Sequence, residues 1–216
     1  MSVSENLNQL LNNLNKKVTL VAVSKTKPIA MIEEAYNCGQ RIFGENKVQE
    51  LVKKHSELPK DIEWHMIGHL QTNKVKFIAP FVNCIHSVDS IKLLKEINKR
   101  AIQNSRSINC LIQVHIAKED SKFGIKPTDL DTFFKKISEF KNVNIIGLMG
   151  MATFSNDKNQ IRNEFKLIKS LFEKFKKDNS SEFNILSIGM SGDYNIAIEE
   201  GSTMIRVGSG IFGSRK

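Results

Sequence analysis

The chain has 216 residues, 40% of them hydrophobic and 25% charged, and a formal net charge of +9 at pH 7. This composition is typical of a soluble globular protein, and no apolar stretch reaches the length of a membrane span. The positive charge favours anionic ligands. Nothing else in the sequence favours binding to nucleic acid, so we do not expect it. The cysteines Cys38, Cys84 and Cys110 form no metal-like spacing, so we expect reduced core thiols in a cytoplasmic protein.

The first fifteen residues predict an amphipathic helix and lack the pattern of a secretion signal. Its apolar face holds Leu7, Leu10, Leu11 and Leu14. Short apolar runs then alternate with helical patterns. The predicted strands are 18–24, 41–44, 62–67, 84–88, 109–116, 143–149, 185–189 and 203–207. The predicted helices between them are 29–37, 46–55, 72–79, 90–104, 128–139, 158–177 and 193–200.

Eight strand–helix units predict an α/β fold, a single (β/α)₈ TIM barrel with the N-terminal helix as an added element. We expect one domain over residues 1–216. The strands are continuous apolar runs, as strands covered on both faces require. An open doubly wound sheet is the alternative, but no GxGxxG follows the first strand.

Two basic residues mark the first and eighth strands, which are neighbours in a closed barrel. Lys25 ends the first strand, where a partly desolvated amine could attack an aldehyde; it could equally reach solvent. Arg206 lies inside the eighth strand and needs an acceptor. That acceptor is either a carboxylate such as Glu45 or the ring nitrogen of a ligand.

Glycines follow the seventh and eighth strands, at 189–192 and 208–210. Phosphate groups favour these two loops of a barrel, because glycine lets main-chain N–H groups approach an anion. Ser191 and Ser209 add hydroxyl donors. A lysine beside a phosphate-sized cradle indicates an aldehyde phosphate, and pyridoxal 5′-phosphate (PLP) is the leading case.

Further residues fall at the same end of the predicted barrel, where any of them could line the pocket. The histidines among them have no spacing that predicts a metal site, and each is more typical of a structural hydrogen-bonding group. These residues are Asn46, His65, His69, His86, Asp89 and Met149.

Several stretches, taken in order, resemble the pyridoxal phosphate homeostasis protein family, which is itself similar to the barrel domain of bacterial alanine racemase. They are 20–28 (LVAVSKTKP), 43–46 (FGEN), 64–71 (WHMIGHLQ), 87–89 (SVD), 147–149 (GLM), 186–191 (LSIGMS), 201–208 (GSTMIRVG) and 211–213 (IFG). The resemblance implies PLP bound as a Schiff base to Lys25, with Arg206 opposite its ring nitrogen and Asn46 nearby. It also implies a phosphate site formed by Ser191, Gly192, Gly208 and Ser209, the last replacing a common threonine.

The resemblance implies a PLP-binding homeostasis protein without efficient catalysis. Alanine racemase supplies a tyrosine base from a further β domain, which we expect to be absent here; Tyr36 and Tyr194 do not match that base. We therefore expect a monomer that passes PLP to apo PLP-dependent enzymes and binds neither membrane nor nucleic acid. The alternative is a slow amino-acid racemase with His65, His69 or Lys74 as base.

Overall fold

The computed structural model, which describes residues 2–119, 123–137, 139–178 and 182–214, contains a closed barrel of parallel strands. The order around the barrel follows the chain, and β8 pairs back onto β1. The predicted TIM barrel is therefore confirmed, with every strand boundary within two residues of its prediction. The strands are β1 Thr19–Val23, β2 Ile42–Glu45, β3 Glu63–Met66, β4 Cys84–Val88, β5 Ile108–Val114, β6 Val143–Gly150, β7 Ile185–Met190 and β8 Met204–Val207.

The helices surround the barrel, and three predicted helices begin or divide differently. The predicted helix 128–139 is a 3₁₀ turn, Pro127–Asp129, followed by an α-helix that begins at Leu130. The predicted helix 46–55 begins instead at Val48, and the predicted 72–79 is a 3₁₀ turn, Thr72–Lys74, followed by a short α-helix. The described helices are α1 Val3–Asn13, α2 Ile29–Asn37, α3 Val48–Glu57, α4 Val75–Ile78, α5 Ile91–Gln103, α6 Leu130–Ile137, α7 Lys158–Asp178, α8 Tyr194–Glu199 and α9 Ser209–Phe212. None of them combines the length and apolar character needed to span a membrane.

The register of β1 with its neighbours decides which side chains enter the barrel lumen. Val21 lies opposite Arg206, and Val23 lies opposite Gly44. Because Arg206 bonds to residues across the lumen, Val21, Val23 and Gly44 face inward with it. A Cβ on Gly44 would indeed lie 2.9 Å from the Val21 side chain. Alternation along β2 therefore places Glu45 on the opposite, helix-facing side of the barrel wall.

The N-terminal helix α1 packs against α9, which follows β8. Val3, Leu7 and Leu10 are buried, whereas Leu11, predicted on the same face, is exposed. The Asn6 side chain donates a hydrogen bond of 3.0 Å to the Ile211 carbonyl in α9. The added helix therefore supports the loop where the phosphate site is predicted.

Candidate functional site

Lys25 lies two residues beyond the end of β1 and is half-buried. The next residue, Thr26, has a φ of 65°, a left-handed conformation that is costly for a residue with a branched side chain. Its main-chain N–H donates to Glu50 Oε1 at 2.5 Å. The loop that carries the lysine is thus held in an unusual shape by a carboxylate from α3.

Lys27, two residues beyond Lys25, is bound to the end of α9. Its ammonium group donates to the carbonyls at the end of α9, at 2.9, 3.0 and 3.1 Å from Phe212, Gly213 and Ser214. A cation at the carboxyl end of a helix satisfies carbonyls that have no partner within the helix. Lys27 therefore joins the β1 loop to α9.

Replacing Lys27 by methionine is expected to lower the free energy of unfolding by about 1 kcal/mol, because the α9 carbonyls lose a charged donor. Urea denaturation measures the change. Lys16→Met, at an exposed position before β1, is the matched control and should leave stability unchanged. Equal stability of the two variants would show that the three contacts contribute nothing.

The loops after β7 and β8 meet, as the predicted phosphate site requires. The Gly208 N–H donates to Ser191 Oγ at 3.2 Å. Gly208 precedes α9, whose first N–H groups, on Ser209 and Gly210, have no partner within the helix. A Cβ on Gly192 would meet nothing within 4 Å, so this side of the cradle is open. The residues fit a small anion, and the role assigned to them stays a prediction.

Arg206 is only 4% exposed and donates to neutral oxygens. Its guanidinium lies 2.8 Å from the Ser187 carbonyl, 2.6 Å from Ser187 Oγ and 3.0 Å from the Gly150 carbonyl. Burial lowers the pKa of Arg206 to about 10, and Asp193 offsets part of that effect. The suggested pairing with Glu45 is wrong, because Glu45 faces the helices and binds Lys54.

A chain of hydrogen bonds crosses the lumen from Arg206. Ser187 Oγ lies 3.3 Å from His86 Nδ1, and His86 Nε2 lies 2.9 Å from His65 Nδ1. Since Arg206 can only donate, the Ser187 hydroxyl is free to donate to His86, which in turn donates to His65. Burial lowers the pKa of His65 to about 3 and that of His86 well below its usual value. The two histidines are therefore neutral at pH 7, and Arg206 is the charged member of this series of hydrogen-bonded side chains.

Acid is expected to destabilise the protein through these histidines. The pKa of His65 is about 3 in the folded protein and 6.5 in the unfolded chain. Between these pH values the unfolded chain binds a proton at His65 and the folded protein does not. The contribution of neutral His65 to the free energy of unfolding is therefore fully present above pH 6.5, and it is lost as the pH falls toward 3. At pH 5 the loss from His65 is about 2 kcal/mol.

Urea denaturation at pH 7 and pH 5 measures this loss, and His65→Gln should reduce it, because glutamine does not titrate. If His65→Gln and the unaltered protein lost the same stability between the two pH values, His65 would not be the group responsible.

Cys84 completes a buried group with the two histidines. Within the described part of the chain, the ligand atoms of His65, Cys84 and His86 all lie within 4.8 Å of one another. The histidines already bond to each other, and burial raises the pKa of the Cys84 thiol well above its usual value, so it stays protonated. The group is well explained as a neutral core, and the expectation of no metal stays a prediction.

The remaining predicted residues lie at different depths. Asn46 is half-buried after β2, and a Cβ on Gly68 would lie 2.4 Å from its carbonyl oxygen, so the loop after β3 packs directly on its main chain. Met149 is fully buried with Cys84 and Leu111 inside the barrel. The contact of Asn46 and Met149 with a cofactor stays a prediction.

His69 and Asp89 come together after β3 and β4. His69 Nδ1 lies 3.3 Å from an Asp89 carboxylate oxygen. The His69 ring stacks on Phe123 with ring centroids 3.8 Å apart. This pair is a more accessible acid–base group than the buried His65.

Sequence reasoning assigned no role to Ser187 or Lys54. Ser187 links Arg206 to His86. Lys54 is buried behind the Lys25 loop and bonds to the Ser24 carbonyl at 2.8 Å. No sequence signal marks Ser187 as facing the lumen, because β7 changes register with β8 after it, and none distinguishes Lys54 from the other helix lysines.

The closed parallel barrel and the family match together place the chain in the alanine racemase class of barrel proteins. The family model for the alanine racemase N-terminal domain matches residues 2–216. The chain belongs to this family and, within it, to the pyridoxal phosphate homeostasis proteins. Over 227 aligned residues it is 38% identical to the pyridoxal phosphate homeostasis protein of Aquifex aeolicus, covering 100% of both chains.

Solved structures agree with this assignment. The chain is 36% identical to PipY of Synechococcus elongatus, whose structure with PLP bound gives a TM-score of 0.90 and covers 98% of this chain and 100% of that one. PipY without PLP gives a TM-score of 0.93 over the same shares of both chains. Alanine racemase of Clostridium difficile, at 12% identity, shares the fold with a TM-score of 0.82, covering 99% of this chain and 57% of that one.

Proposed function

We propose that this protein binds PLP, holds it as a Schiff base on Lys25 and serves intracellular PLP homeostasis without efficient catalysis. The observation that carries the proposal is Arg206, a buried cation whose partners are neutral oxygens. Such a group favours an acceptor-bearing ligand, because burying its charge without one is costly. β8 is paired with the strand that leads to Lys25.

The residues of the site fit the parts of PLP. Its aldehyde condenses with a primary amine, with loss of one water, to give a Schiff base. Lys25 supplies that amine, while Lys27 is held by α9. Ser191, Gly192, Gly208 and Ser209 offer the phosphate an open cradle of N–H and hydroxyl donors, and Arg206 donates toward the ring nitrogen. Asn46 and Met149 are assigned to the remainder of the pocket.

The same geometry supports a holding protein rather than a catalyst. Racemisation needs proton-transferring groups on both faces of the substrate carbon. His65 is neutral, buried and bonded to His86, so it is poorly placed to take up a proton. We further propose one domain over residues 1–216, a monomer in the cytoplasm, and apo PLP-dependent enzymes as the recipients of PLP.

The test is to add PLP to the purified protein, reduce it with borohydride and map the modified peptide by mass spectrometry. Uptake of one PLP per chain, with the label on Lys25, is the expected result. A protein that stays colourless with excess PLP and gives no labelled peptide would refute the proposal.

A slow racemase is the alternative, and the His69–Asp89 pair is the observation that favours it. The pair offers a proton-transferring group at the open end of the barrel. Turnover of one amino acid well above the rate with free PLP, lost in both Lys25→Ala and His69→Gln, would establish this function. Lys74 lies in the 3₁₀ turn before α4 and is the third proposed base.

A further inference from the structure

A buried ionic cluster lies behind the loop that carries Lys25, on the helix side of the barrel wall. It consists of Lys54 from α3, Glu45 from β2 and Glu50 from the first turn of α3. The Lys54 ammonium lies 2.8 Å from Glu45 Oε1 and 2.7 Å from Glu50 Oε1. Lys54 is only 4% exposed, and Glu45 is fully buried. We call these three residues the Lys54 cluster.

The Lys54 cluster forms hydrogen bonds with the residues on both sides of Lys25. Before it, the Ser24 carbonyl accepts from Lys54 at 2.8 Å, and the Ser24 hydroxyl donates to Glu45 at 2.5 Å. After it, the Thr26 N–H donates to Glu50 at 2.5 Å. These contacts offset the cost of the left-handed conformation of Thr26.

The hydrogen bonding of the Lys54 cluster is nearly complete. The three donors of the Lys54 ammonium are matched by three acceptors, on Ser24, Glu45 and Glu50. Glu45 Oε2 has no partner among the described residues. Burial raises the pKa of the Glu45 carboxyl, and its contacts with Lys54 and Ser24 offset part of that rise. Buried ion pairs contribute little net stability, so positioning the loop explains this arrangement better than stability does.

We propose that the Lys54 cluster is a positioning device that fixes the Lys25 loop and so determines how long PLP is retained. The inference rests on the proposed function. Glu45 faces away from the lumen, so the cluster acts through the main chain of residues 24–26. A looser loop presents the amine less consistently to the aldehyde, and water then competes for the Schiff base more effectively.

The test compares Lys54→Met with the conservative Lys54→Arg. Loaded protein is diluted into buffer and the loss of the Schiff-base absorbance is followed as PLP is released, and hydrogen exchange of the Thr26 amide is measured separately in cofactor-free protein. We expect Lys54→Met to release PLP about tenfold faster, as the loss of a charge-assisted hydrogen bond predicts. Thr26 exchange should rise in parallel, and Lys54→Arg should restore much of both.

Lys174→Met is the matched control, because Lys174 also pairs with a carboxylate, Asp131, but on the surface of α7. It should change neither measurement. If Lys54→Met fails to fold, Glu50→Ala is tested in its place. Glu50 is half-buried, and its removal deprives the Thr26 N–H of its acceptor. Release and exchange at the unaltered rates in a folded variant would overturn the inference. The exchange measurement needs no PLP, so absent labelling of Lys25 in the unaltered protein would refute only the proposed function.

Discussion

Lys25→Ala is expected to abolish covalent retention of PLP, because Lys25 is the amine to which the Schiff base is assigned and two other nearby lysines are bound to different groups. Lys27 is held by three carbonyls of α9, and Lys54 by the Lys54 cluster. Borohydride reduction should then give no PLP-labelled peptide. The free energy of unfolding should change by no more than about 1 kcal/mol, because Lys25 is half-buried.

Two further variants test whether the amine of Lys25, rather than its positive charge, is required. Lys25→Arg keeps the positive charge but has no amine that forms a Schiff base, so it should also fail to retain PLP covalently. Lys47→Ala removes an exposed lysine that follows the neighbouring strand β2 and should retain PLP normally. Labelling of a different lysine in Lys25→Ala, at the level of the unaltered protein, would show that the wrong residue has been assigned.

Arg206→Met is expected to have the second large effect, on both stability and retention. Methionine fills much of the volume but leaves the oxygens of Ser187 and Gly150 without their donor. Leaving buried acceptors unpaired should lower the free energy of unfolding by about 2–4 kcal/mol. PLP should be lost faster as well, because the proposed donor to its ring nitrogen is gone.

Urea denaturation and the release rate of PLP check this prediction. Arg206→Lys keeps the charge without the planar fork and should give intermediate values. The control is Arg162→Met, since Arg162 pairs with Glu199 and Glu200 near the surface, where water screens the ion pairs and the change should affect both measurements little. A stable Arg206→Met that retains PLP would show that Arg206 serves neither purpose.

The barrel was predictable from sequence because short, mostly apolar runs such as 19–23 and 143–150 alternate with amphipathic helical patterns. Helix α9 was not, because it is a single turn whose second residue is Gly210, and glycines after a strand are typical of a loop. The start of α3 was placed two residues early. Lys47 stays extended there, with φ −119° and ψ 129°, while the preceding Asn46 packs against Gly68.

The candidate site was only partly predictable. The outer residues follow from a rule about strand ends, and the structure brings Ser191 and Gly208 together as that rule requires. The link from Arg206 through Ser187 to His86 depends on which side chains meet across the lumen, and a linear sequence carries no such information. Lys54 likewise looks like one more solvent-facing helix lysine, four residues from Glu50, until α3 packs onto β2.

Closure of the barrel between β1 and β8 has a consequence during translation. A ribosome completes β1, with its amine, well before it reaches Arg206 and Gly208. A nascent chain therefore carries Lys25 without Arg206 or the loop of the predicted phosphate site, so the proposed PLP site can be complete only after β8 has been made.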